Sequence, residues 1–130
     1  MGQGRARQHV PGGEVEEVAP VALHVFCSLT GEIERHAPEG TWLGIADAPP
    51  AKEDLRLRLA PGDVLMLLTD GATEARDESG RMLGIERICE TLRQVGRLPV
   101  EAICAALWQV VDAWAHERAD DVTLVVARHR

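Results

Sequence analysis

One stretch constrains this chain more than any other: Leu59 to Arg76, LAPGDVLMLLTDGATEAR. A Pro-Gly-Asp turn comes first. The run Val64-Leu65-Met66-Leu67-Leu68-Thr69 follows and closes on Asp70, where Gly71 breaks it. The run is too short for a typical helix, is bounded by turn signals and is almost wholly apolar. It predicts a strand buried on both faces. Asp70 then stands at the mouth of a buried strand, before a glycine able to take an unusual backbone angle. An acid placed there is either a turn former or a ligand for a cation.

The elements on either side predict an α+β fold. Val21 to Leu29 has strand composition. Thr30-Gly31 is a turn, and Glu32 to His36 is the returning strand of a hairpin. Pro49-Pro50 marks a loop. Asp54 to Leu59 alternates leucine and arginine, which predicts a half-exposed strand. After Asp70, one helical turn is expected over Ala72 to Arg76, then a polar loop, Asp77 to Arg81. Ile85, Ile88, Cys89, Leu92 and Val95 share one face of an amphipathic helix, with Gly96 as its stop. Pro99 opens a second helix, striped by Ile103, Leu107, Val110, Val111 and Trp114 and running to about Glu117. Trp108 and Trp114 fit its core. Asp120-Asp121 leads into a last strand, Val122 to Ala127, β-branched and nearly all apolar, hence expected to be central. Strands grouped on either side of a helix pair predict antiparallel sheet covered by helices. Residues 1–18, with four glycines and an acidic string at Glu14, Glu16 and Glu17, lack periodicity and are expected to be disordered.

The 130 residues suffice for one domain, and residues 19–130 are taken as its body. The net charge of −7 argues against a nucleic-acid surface. No apolar run approaches the about 20 residues of a membrane span, and no signal-peptide pattern opens the chain. The three cysteines, Cys27, Cys89 and Cys104, match no zinc spacing and sit among apolar residues. They read as reduced core residues, so a cytoplasmic setting is the default.

Chemistry is expected at the acids. If the strands after Leu59 and before Arg128 are antiparallel neighbours, Asp70 and the pair Asp120-Asp121 share one rim of the sheet. Clustered carboxylates suit hard cations such as Mg²⁺ and Mn²⁺, and without a cation they repel. Against this, Asp-Gly is a common turn pair, and two acids fifty residues apart have no diagnostic gap. His24 and His116 suit structural or solvent roles. Glu74 suits a solvated helix position. Ser28, Ser79 and the cysteines have no paired base in the sequence pattern, which leaves nucleophilic catalysis weakly supported.

The segments LAPGDVLMLLTDGATEAR, SGRMLGIERI, the long helix and ADDVTLVVAR resemble, in order and spacing, the C-terminal half of the SpoIIE/RsbU-type protein phosphatases of the PPM superfamily. GEIERHAPEGTWLGI is similar to the segment that precedes the family's Pro-Gly-Asp turn. The resemblance covers roughly residues 19–128. It implies a partial β-sandwich of antiparallel sheets flanked by helices. It also implies two Mn²⁺ or Mg²⁺ ions whose bridging water attacks phosphoserine or phosphothreonine directly. By motif, Asp70 and Asp120 resemble the family's metal-binding aspartates, Gly71 the glycine after the first, and Asp121 the neighbour of the second. The family's Asp-x-x-Gly-His-Gly motif is absent, as is its Gly-His-Pro-Pro-like motif. The N-terminal part of the domain is therefore expected to be missing and the ligand set incomplete. The implied partner is a phosphoprotein such as an anti-sigma-factor antagonist, with neither nucleic acid nor membrane. A homodimer is one way to complete the site. A catalytically inactive remnant that binds a protein partner is the alternative.

Overall fold

A computed structural model describes residues 5–10, 13–18, 22–36, 56–117 and 121–130. The first two strands, β1 (Arg5–Val10) and β2 (Gly13–Val18), pair antiparallel with each other. Both strands lie within the segment 1–18 that the sequence reading expects to be disordered. The register sets Arg7 opposite Glu16 and His9 opposite Glu14. The Pro-Gly-Gly sequence at 11–13 is a turn signal that the dense charge obscures.

The main sheet has four antiparallel strands in the order β4-β3-β5-β6. They are β3 (Leu23–Phe26), β4 (Ile33–His36), β5 (Val64–Leu68) and β6 (Leu124–Arg128). The β3–β4 hairpin turns through Gly31, whose N–H donates to the Cys27 carbonyl at 2.8 Å. After β5 come α1 (Asp70–Thr73), α2 (Ile85–Val95) and α3 (Val100–Trp114). The two longer helices cover one face of the sheet. Phe26, Val64, Met66 and Leu68 from the strands meet Ile88, Cys89 and Leu92 of α2 and Ile103, Leu107 and Val111 of α3. Each large side chain buried there contributes about 1.5–3 kcal/mol. No described helix is long and apolar enough to cross a membrane.

Four expectations change. β5 is buried on one face only: Val64, Met66 and Leu68 are covered, whereas Leu65 is half-buried and Leu67 is 37% exposed. β6 is an edge strand, and its Val125 is 49% exposed. Both strands are apolar on two faces, but the helices supply a cover for one. Residues 56–60 form no strand, although Leu57 and Leu59 are half-buried and Arg56 and Arg58 exposed as the alternation requires. The pattern sets the facing of these side chains, and a strand also needs a ladder partner. Finally, α3 ends at Trp114, and Trp108 is 39% exposed rather than in the core. The expected loop at Pro49-Pro50 lies outside the described residues.

The turn into β5 is held by a buried acid. Asp63 Oδ1 accepts the Ser28 N–H at 2.9 Å, and Oδ2 accepts the Ala60 N–H at 2.8 Å. The Ser28 hydroxyl lies 3.1 Å from Oδ1. These donors, the Ser28 amide first, hold the Asp63 carboxyl below its ordinary range. Gly62 adopts φ +94, which glycine supplies without strain. Its N–H donates to the His129 carbonyl, and the His129 N–H donates to the Asp63 carbonyl. The turn thus ties the end of β3, the start of β5 and the end of β6. Asp63→Ala leaves two amides unmatched, and urea denaturation should show a loss of about 2 kcal/mol or more. Asp63→Asn keeps one acceptor and should lose less.

His24 lies on β3 and is 4% exposed, and among the described residues its Nδ1 has no hydrogen-bond partner. Burial, and next the Arg35 charge opposite it on β4, push its pKa down; the Ala22 backbone and Glu86 of α2 oppose them. The unfolded chain therefore binds a proton that the folded chain resists, so stability falls as pH drops below about 6.5. Thermal unfolding between pH 7 and pH 5 should show this fall, and His24→Gln should flatten it.

Candidate metal centre

The β5–β6 ladder runs from Val64↔Arg128 to Leu68↔Leu124. The two strands are antiparallel, so the exit of β5 and the entrance of β6 lie on one rim. Asp70 is the first residue of α1, and Asp121 immediately precedes the segment that enters β6. The structure therefore brings Asp70 and Asp121 to the same rim. Asp120 lies outside the described residues. The helical turn begins at Asp70, two residues before the sequence pattern places it.

Thr69 joins the two strands past the last ladder pair. Its N–H donates to the Thr123 carbonyl at 3.1 Å. Its Oγ1 accepts the Thr123 N–H at 3.0 Å and stands 3.5 Å from the Asp121 carbonyl oxygen. Its own carbonyl accepts the Ala72 N–H at 3.0 Å and so belongs to α1. The Asp70 carbonyl accepts the Glu74 N–H at 2.8 Å. Main-chain groups of Asp70 are thus fixed by the helical turn. Among the described residues, neither the Asp70 nor the Asp121 carboxylate has a hydrogen-bond or ion-pair partner.

Gly71 is required by close approach. Its φ is not positive, contrary to the expectation of an unusual backbone angle. A Cβ there would overlap the Asp121 carbonyl oxygen and lie 3.1 Å from the carbonyl carbon and 3.4 Å from Val122 Cγ2. The turn of α1 is pressed against the strand that carries Asp121, and a side chain would separate them.

A knotted loop follows α1. Asp77 accepts the Ser79 hydroxyl at 2.7 Å, the Ser79 N–H at 2.9 Å and the Arg81 N–H at 2.9 Å. These bonds, the Ser79 hydroxyl first, lower its pKa to about 2. Trp114 Nε1 donates to the Arg81 carbonyl at 2.9 Å, and the Arg87 guanidinium lies over the Trp114 ring at 4.5 Å. Trp114 therefore anchors the loop while packing, partly buried, against the core. A shallow groove lies between the loop and the end of α3, lined by Asp77, Glu78, Arg81, Trp114 and His116.

The donor set has a clear reach. No group of three or more His, Cys, Asp or Glu among the described residues is placed to hold a metal. Two carboxylates on one rim are oxygen donors of the kind hard divalent cations take. They fall short of a two-ion centre. The sequence reading pointed to Asp70, Gly71, Asp120 and Asp121, of which Asp120 lies outside the described residues. It gave no sign of Thr69, Asp63 or the Asp77 knot, because Thr and Asp in turns are common and only the pairing shows what they hold.

Gly71→Ala should cost about 1–3 kcal/mol, the usual penalty of overpacking. A thermal melt checks it, and an unchanged melting temperature would contradict the close approach.

The family model described as Stage II sporulation protein E (SpoIIE) matches residues 21–130. Among solved structures, the SiaA-PP2C domain of Pseudomonas aeruginosa superposes with a TM-score of 0.67 at 26% identity. The match covers 86% of this chain and 44% of that one, so the chain spans less than half the length of the domain it resembles. No curated protein matches. The antiparallel sheet under two helices is accordingly part of a PP2C-type α+β fold. With the match covering all of the residues that build this sheet and its helices, the chain belongs to the SpoIIE family.

Proposed function

We propose that residues 19–130 are the C-terminal portion of a metal-dependent protein phosphatase domain. It acts on phosphoserine or phosphothreonine of a regulatory protein such as an anti-sigma-factor antagonist. The observation that carries this is the shared rim: residues 52 apart in sequence, Thr69 and Asp121, meet where β5 and β6 end. Asp70 and Asp121, with Asp120, offer carboxylates to Mn²⁺ or Mg²⁺. Gly71 lets the Asp70 turn approach the Asp121 strand. The ion, when bound, lowers the pKa of its water and offsets charge on phosphoryl oxygens. The remaining donors of a two-ion centre come from outside the described residues, whether from further polypeptide or from a second copy of the chain. Three free cysteines fit a reduced, cytoplasmic setting.

A second reading is supported by the short donor set among the described residues. On that reading the chain is a catalytically inactive remnant that binds a protein partner without turnover.

Hydrolysis of p-nitrophenyl phosphate, with and without Mn²⁺, separates the two. The phosphatase reading expects a Mn²⁺-dependent rate that falls by at least about tenfold in Asp70→Asn, as loss of a ligand should cost no less than loss of an outer partner. Absence of metal-dependent turnover in both proteins favours the binding module.

A further inference from the structure

We infer that Thr69 is a positioning residue that fixes the spacing of the Asp70 and Asp121 carboxylates, and so sets the metal affinity of the rim. The metal part rests on the reading given under Proposed function. The positioning part stands on geometry alone.

A chain leaving a strand for a helix faces a conflict of hydrogen bonds. Its last carbonyl cannot serve both the ladder and the first helical turn with the same geometry. At Thr69 the carbonyl goes to the helix, accepting the Ala72 N–H at 3.0 Å. The Thr123 N–H then needs another acceptor, and Thr69 Oγ1 supplies it at 3.0 Å. The side chain thus stands in for the carbonyl, and the ladder continues one step while the main chain turns away. The Thr69 N–H closes the pair from the other side, at 3.1 Å from the Thr123 carbonyl. The same Oγ1 lies 3.5 Å from the Asp121 carbonyl oxygen. Asp70 is the next residue along one strand, and Asp121 is two residues before Thr123 on the other. The main-chain segments that carry Asp70 and Asp121 are therefore tied together through one hydroxyl. Gly71, pressed on the Asp121 carbonyl, restricts the approach from the opposite side of Asp70.

Serine keeps the hydroxyl and valine keeps the shape without it, so the pair Thr69→Ser and Thr69→Val isolates the oxygen. Two readouts are needed on the full chain. The first is Mn²⁺ binding, followed by electron paramagnetic resonance of the free ion. The second is amide hydrogen exchange over residues 121–124 without metal. The inference expects Thr69→Val to weaken Mn²⁺ binding about tenfold or more, the range for outer partners of a ligand, and to expose the Thr123 amide. Thr69→Ser should stay close to the parent in both. If Thr69→Val lowers the melting temperature but binds Mn²⁺ like the parent, the role is structural and the inference fails. If the parent chain binds no Mn²⁺, the metal reading fails by itself. Exchange then decides the rest, and unaltered protection of Thr123 in Thr69→Val overturns the positioning role as well.

Discussion

Strand β5 is hydrogen-bonded along both edges, to β3 and to β6, and this double pairing orders the rest of the molecule. A strand held on both sides cannot shift register without moving its whole apolar set to the other face. Val64, Met66 and Leu68 therefore stay under the helices, and the ends of β5 fall at defined places. At its start, Asp63 gathers amides from Ser28 and Ala60. At its end, Thr69 gathers both backbone groups of Thr123. The candidate centre occupies the second end because the ladder partner β6 begins there with Asp121 close behind.

The two glycines beside these ends answer different demands. Gly62 supplies a positive φ that lets the chain reverse into β5. Gly71 supplies absence of bulk, since the Asp121 carbonyl occupies the space of a side chain. A motif of the form Asp-Gly is therefore ambiguous by itself. One glycine makes a turn possible, and the other lets two strands' ends close on each other.

Much of this was legible in the residues. The heptad-like apolar stripe of Ile85, Ile88, Cys89, Leu92 and Val95 gave α2 within its observed bounds, because periodicity is a local signal. The run from Val64 gave β5, and the acids at its exit and before Val122 gave the shared rim once the strands were set as neighbours. The highly charged residues 5–18 gave no periodic signal for the hairpin that pairs there. The strand expected near Leu57 and Leu59 was overstated, since alternation reports exposure and pairing depends on a distant partner. β6 was placed in the interior of the sheet by its β-branched composition, but composition does not say how many strands lie beyond it. Thr69 left no mark, because the bond that matters reaches a residue 54 positions away.

The second face of the sheet, where Val25 is buried but Leu67 and Val125 are not, has a thermal consequence. Leu67 and Val125 remain partly in contact with water in the folded chain, so unfolding gains less hydration there than at a buried side chain. The heat-capacity change of unfolding scales with the apolar area newly wetted. A sheet only partly covered on its second face should therefore give a flatter curve of stability against temperature than the same sheet enclosed on both. Covering that face would add to the heat-capacity change and sharpen the thermal transition, with no change to the β5–β6 ladder or to the rim it builds.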